Sequence, residues 1–266
     1  MDGNEKNNNK IFLVGIALIA LVFAFTFFKP FFYQNKSKEK NYQQEVLNYP
    51  KISPEDLKNK IKNNNDTQIL DIRSTDDYAM EHLIDSVNAN SEESINAIPK
   101  EKTIVMVGYS TKDEEYTKIV DYLKSNSYKN FFILKGGIDA WKNIGGSTIS
   151  IGNPNSFTDA SKVIYISPDD LKKIVDNKSY PKYIIDIRSK QLFDSGHILE
   201  AENILLDDLE KSKDKIPYGK EIFVYGDTEL QGFQCGVRLH DLGFLSVKTL
   251  QGGLMAWKDK GFEAVK

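Results

Sequence analysis

The chain has 266 residues, enough for two domains of ordinary size, and its 27% charged and 40% hydrophobic composition excludes wholesale disorder. A formal net charge of -3, from 35 basic and 38 acidic side chains, provides no global field to gather DNA or RNA, so nucleic acid is not an expected partner. The single cysteine, Cys235, excludes intramolecular disulfides and Cys-rich zinc sites, and with only His82, His197 and His240 there is no catalytic histidine cluster.

Residues 1–10 form a short polar tail. From Ile11 to Phe28 the sequence runs without a charge between Lys10 and Lys29, and Phe31, Phe32 and Tyr33 extend it as an aromatic belt. At ~1.5 Å per residue such a helix approaches the ~30 Å thickness of a bilayer, which predicts a transmembrane helix over 11–33. A cleaved leader ending near Val22-Phe23-Ala24 is the alternative; the apolar run continues past Ala24, which favours an uncleaved signal anchor. Lys29, Lys36, Lys38 and Lys40 outnumber Lys6 and Lys10, a count that points to the cytoplasm. A short tail joined directly to a span is instead the layout of an anchor that exports the chain on its carboxyl side, and the soluble part is expected outside the cytoplasm. Residues 34–50 are polar and too poor in apolar positions to bury a face, so they read as a spacer.

Ile52-Ser53-Pro54-Glu55-Asp56-Leu57 has the N-cap, proline and acidic first turn of a helix start. Ile69-Leu70-Asp71-Ile72-Arg73-Ser74 is a short apolar run ending in charges, as expected of a buried parallel strand. Further strands are predicted at Thr103–Val107 and Asn130–Leu134 around a helical stretch, and Gly136-Gly137-Ile138-Asp139-Ala140-Trp141-Lys142 closes the unit. Residues 147–162 have the composition of a linker.

The same landmarks then return about 115 residues later. Ile166-Ser167-Pro168-Asp169-Asp170-Leu171, Ile184-Ile185-Asp186-Ile187-Arg188-Ser189, strands at Glu221–Tyr225 and Val247–Leu250, and Gly252-Gly253-Leu254-Met255-Ala256-Trp257-Lys258 appear in the same order. Alternating strands and helices predict two α/β domains, residues 51–146 and 163–266, each a mainly parallel sheet with helices on both faces.

At these residues the chain resembles the rhodanese-like domain family, in both copies. The landmarks are Asp71 and Arg73, Tyr78, His82, Val107 and Gly136–Trp141, then Asp186 and Arg188, Phe193, Gly196-His197-Ile198, Tyr225 and Gly252–Trp257. Glu81 departs from the glycine usual in the family. Asp71, Arg73, Asp186 and Arg188 read as ties between a strand end and its loops, and His82 and His197 as partners of backbone groups. Trp141 and Trp257 read as apolar plugs.

The resemblance implies a cysteine at the strand-to-helix turn, where backbone N–H groups and a helix N-terminus form an anion cradle that lowers the thiol pKa. Aligned on the strands, Gly108 and Gly226 take the cysteine positions, so covalent sulfur transfer there lacks its nucleophile. The oxyanion-binding arginine that the family often carries falls at Asp113 and Gln231. The loops read Gly108-Tyr109-Ser110-Thr111-Lys112-Asp113 and Gly226-Asp227-Thr228-Glu229-Leu230-Gln231, and are candidate degenerate binding loops with no catalytic residue assigned. Cys235, on the helix after the second loop, reads as a packing thiol; its use in sulfur transfer is the alternative. No metal or cofactor is expected. The resulting expectation is a membrane-tethered binding or scaffolding module with a protein partner, the alternatives being a sulfurtransferase or a small-ligand module.

Overall fold

The computed structural model describes residues 49–63, 66–109 and 115–266. The first repeat runs β1 (Lys51–Ile52), α1 (Pro54–Asn63), β2 (Thr67–Asp71), α2 (Thr75–Met80), β3 (Glu81–Leu83), β4 (Val87–Asn88), α3 (Glu92–Asn96), β5 (Thr103–Val107), α4 (Glu115–Ser125), β6 (Phe131–Leu134) and α5 (Gly137–Asn143). After β7 (Thr148–Ser150) and α6 (Phe157–Ala160), the second runs β8 (Ile164–Ile166), α7 (Pro168–Asp176), β9 (Lys182–Asp186), α8 (Lys190–Ser195), β10 (Ala201–Asn203), two 3-10 turns, β11 (Glu221–Tyr225), α9 (Glu229–Asp241), β12 (Val247–Leu250) and α10 (Gly253–Asp259).

Each helix that follows a Ser-Pro pair is capped as its sequence dictates. Ser53 Oγ accepts from Asp56 N–H at 3.1 Å, and Ser167 Oγ from Asp170 N–H at 3.1 Å, while proline fills a position that needs no donor.

The sheets have one plan: β1-β6-β5-β2-β4 in the first repeat and β8-β12-β11-β9-β10 in the second, with every neighbouring pair parallel. Parallel strands buried on both faces require uninterrupted apolar runs, and the alternation within each run sends side chains to opposite faces. Ile104 and Met106 pack with Tyr116, Val120 and Leu123 of α4, whereas Val105 and Val107 pack with Leu57, Ile138 and Trp141. In the second repeat Ile222 and Val224 pack with Cys235 and Leu239 of α9, and Phe223 and Tyr225 with Leu171, Leu254 and Trp257. Both tryptophans are buried.

The stretch 147–162 is more than a linker. Its β7 pairs antiparallel with β3, placing Ile149 opposite His82, and Ile149 is buried. At the end of β7, Ser150 N–H donates to Asp241 Oδ2 at 3.1 Å, and further on Lys162 pairs with Asp241 Oδ1 at 2.8 Å, so the segment lies against the end of α9. In the second repeat the place of β7 is taken by the carboxyl-terminal residues, where His197 and Val265 exchange backbone hydrogen bonds at 2.8 Å.

The expected transmembrane helix over 11–33, the spacer before Tyr49, and Ser110, Thr111, Lys112 and Asp113 lie outside the described residues. Among the described residues no helix is long and apolar enough to cross a membrane.

Candidate functional site

Both strand-to-helix loops stand on a buried acid-arginine pair. At the end of β2, Arg73 Nη2 lies 2.6 Å from Asp71 Oδ2, with side-chain exposures of 5% and 0%; at the end of β9, Arg188 Nη2 lies 2.6 Å from Asp186 Oδ2, with 2% and 0%. The same guanidinium groups reach across the strand end, donating to Glu81 O at 2.6 Å and Gly196 O at 2.8 Å. Burial works against each arginine's charge, but the carboxylate partner more than offsets it and both are held above the ordinary value. The glycine-to-glutamate departure at residue 81 is accommodated because the backbone there is extended, at φ -164°, whereas Gly196 adopts φ 152°. The Glu81 side chain then reaches Lys142 and Thr148.

In the second repeat the loop after β11 is closed by its own side chains. Thr228 is the N-cap of α9, and Gln231 completes a capping box by reaching back over the turn. Gln231 Oε1 accepts from the N–H groups of Asp227 at 2.8 Å and Thr228 at 3.3 Å. A Cβ on Gly226 would fall 2.6 Å from Gln231 Cβ, so the amide side chain fills the volume a nucleophile at 226 would need. Asp227 Oδ1 lies 3.3 Å from Arg188 Nη1, and Glu229 Oε2 accepts from Gly252 N–H at 3.1 Å. The N–H groups of Asp227, Thr228 and Gln231 are therefore engaged from within, and the carboxylates at this helix start oppose a second negative charge.

The closing Gly-Gly turn supports the loop from below. Leu254 N–H donates to Gly226 O at 2.9 Å, and Gly253, at φ +64°, lies so close to Asp227 that a Cβ would fall 2.6 Å from its carbonyl oxygen. Tyr225, just before Gly226, accepts from Ile198 N–H at 3.0 Å through its hydroxyl, and burial together with Asp186 pushes its pKa far up. It acts as a neutral spacer between strand and loop.

The first loop is described at Gly108 and Tyr109. Gly108 O accepts from Ile138 N–H at 3.0 Å, the counterpart of the Leu254 bond. Tyr109 is exposed, with the Arg73 guanidinium 5.4 Å from its ring centre, and a hydrogen bond to Asp77 raises its pKa.

Cys235 is fully buried among Ile222, Val224 and Leu239 on the α9 face of the sheet, and burial pushes its thiol pKa well above the ordinary value. A thiol in that state is a packing group. Among the described residues no cluster of His, Cys, Asp and Glu has the grouping of a metal site. His82 does more than satisfy the backbone: its Nδ1 lies 2.7 Å from Tyr78 O, and its Nε2 lies 3.1 Å from Glu210 Oε2 in the other repeat. Gln231's role had a readable signal, since Thr228-Glu229-Leu230-Gln231 has capping-box spacing. The Glu210 contact had none.

Such a unit, a five-stranded parallel sheet with a loop and helix N-terminus at the carboxyl end of its central strand, defines an α/β class, and in the second repeat Gln231 lies over that loop. The model of the Rhodanese-like domain matches residues 53–144 and 167–260, and the chain belongs to that family as a tandem pair. The chain is 31% identical over 77 residues to the uncharacterized protein YqhL of Bacillus subtilis; that match covers 29% of this chain and 61% of YqhL, less than two thirds of its length. Among solved structures, the rhodanese-like domain of Anabaena Alr3790 is 28% identical, with 38% of this chain and 77% of that one covered at a TM-score of 0.36. Thiosulfate sulfurtransferase from Pseudomonas aeruginosa is 14% identical, with 81% and 43% covered at a TM-score of 0.43.

Proposed function

We propose that the protein is a non-catalytic tandem rhodanese-like module that holds a protein partner at a membrane, anchored by residues 11–33 with both repeats outside the cytoplasm. The observation that carries the loss of catalysis is the Gln231 side chain, which lies over Gly226 and takes the amide donors of Asp227 and Thr228. Glycine at 226 offers no nucleophile, and the chain's single thiol, Cys235, is sealed in the core. A scaffold needs a rigid frame and exposed faces rather than a reacting group, and Leu230 and Met255 beside this loop are exposed.

Thiosulfate-to-cyanide sulfur transfer by the full-length chain tests the proposal. Thiocyanate should form no faster than in protein-free buffer. Turnover that disappears in Cys235→Ala would overturn the reading in favour of sulfur transfer through that thiol. Protease accessibility of the repeats in intact cells tests the orientation, and protection of both repeats would place them on the cytoplasmic side.

A further inference from the structure

The first repeat holds a carboxylate of the second, and the groups that hold it recur in the second repeat. The His82 ring stacks on Tyr78 with centroids 4.0 Å apart at an interplanar angle of 13°, and its Nδ1 lies 2.7 Å from Tyr78 O. Ser86 N–H then donates to Leu83 O at 3.1 Å, closing a turn in which Asp85 sits in the left-handed region at φ 60°. The Glu210 carboxylate bridges the two groups, one oxygen 3.1 Å from His82 Nε2 and the other accepting from Asp85 N–H at 2.6 Å. Lys213 pairs with the Asp85 carboxylate at 2.6 Å.

In the second repeat the His197 ring stacks on Phe193 with centroids 3.8 Å apart at 11°, and its Nδ1 lies 3.1 Å from Phe193 O. Ala201 N–H donates to Ile198 O at 3.0 Å, and Glu200 takes the place of Asp85 at φ 65°. A residue with a side chain rarely adopts this conformation, so its return at the equivalent place marks the same turn. His197 is partly exposed and Glu200 is exposed. Neither His197 Nε2 nor Glu200 N–H has a partner among the described residues. Lys182, 3.1 Å from Glu200 Oε2, neutralises that carboxylate from within the repeat, whereas Asp85 takes its lysine from the other one. Leu199, the residue before Glu200, and Leu192 on α8 are exposed.

We propose that His197 and the Glu200 N–H form an open carboxylate site that takes a glutamate side chain of a partner protein, as the first repeat takes Glu210. The inference rests on the reading of the chain as a partner-holding module and names the chemistry of the contact. A ring nitrogen facing a carbonyl oxygen donates to it, so Nδ1 keeps its proton. A carboxylate at Nε2 then calls for a second proton, taken from solvent, and the ring docks as an imidazolium. Two charge-assisted bonds converging on one carboxylate select both its charge and its geometry. A glutamate carried on a chain also brings neighbours that cover Leu192 and Leu199, which a free acid does not.

Full-length protein in detergent micelles, isotope-labelled in its histidine rings and backbone amides, reports on both groups. Of the three histidine signals, His197→Asn and His240→Asn assign two and leave His82 by elimination. The probe is a blocked peptide with the sequence of residues 205–214, which carries Glu210. At about pH 7 it should move the His197 signal saturably toward the imidazolium and shift the Glu200 amide, while His82, already held by Glu210, stays in place. The same peptide with Glu210→Gln should bind at least about tenfold more weakly, the scale of a hydrogen bond to a charged group. In His197→Asn, whose amide can still donate to Phe193 O, the Glu200 response should weaken to the same degree. The proposal is overturned if His197 and Glu200 do not respond, if the glutamine peptide matches the glutamate one, or if glutarate, a free acid, matches the peptide. It is also overturned if the chain sediments as a dimer that His197→Asn dissociates, since the site would then belong to a second copy. A null titration leaves the thiosulfate assay untouched, so the two readings fail separately.

Discussion

Gly226 lies outside the left-handed region of backbone space, so what bars a side chain there is Gln231 rather than backbone strain. Gly226→Cys is therefore expected to fold with a loss of about 1–3 kcal/mol from overpacking, measured by urea unfolding, and to give no thiocyanate above wild type. The new thiol lacks the arginine the family often carries five residues on, since Gln231 stands there, and Asp227 and Glu229 oppose an anionic donor. Cys235 makes the complementary point. Because burial raises its pKa and only the thiolate attacks a disulfide reagent, its reaction with dithiobis-nitrobenzoate at pH 8 should follow unfolding across a urea series. Rapid labelling in native buffer would contradict its place in the core. The glycines at 108 and 226 and the burial-prone cysteine were readable one residue at a time. That Gln231 turns back over its own helix start required the capping pattern to be joined to the site.

At the scale of elements, the Gly-Gly turns join the closing helices to the loops. Gly253 combines a positive φ with backbone atoms of Gly226 and Asp227 where a Cβ would stand. Gly253→Ala should cost about 2 kcal/mol or more, read as a fall in the urea midpoint, since neither the dihedral nor the carbonyl can yield cheaply. The long elements were legible because buried parallel strands impose runs such as Thr103–Val107 and Glu221–Tyr225, and because Ser-Pro-acid sequences announce helix starts. The two- and three-residue strands β1, β3, β4, β7, β8 and β10 were not. They are too short to carry a period, and their conformation is set by the neighbour that offers free hydrogen-bonding groups.

At the scale of the molecule, Glu210 joins the repeats: it accepts from Asp85 N–H at 2.6 Å and lies 3.1 Å from His82 Nε2. Burial alone would raise its carboxyl, but the bonds from His82 and Asp85 outweigh that, and its pKa lies below the ordinary 4.5. A depressed folded value means stability that is present above the unfolded value and lost as the pH falls through the folded one. Glu210→Gln should thus lower stability at pH 7 by about 1–3 kcal/mol, and the gap to wild type in thermal unfolding should close as the pH falls below about 4.5. A gap that persists in acid would show that the carboxylate's charge is not what the interface uses. The sequence by itself determined the tandem α/β plan, because it is carried by residues a few positions apart whose spacing obeys local geometry. Only the tertiary structure decided that β7 pairs with β3 and that Glu210 reaches His82, 128 residues away. Those contacts depend on which surfaces meet once the sheets are covered, and no local period encodes that.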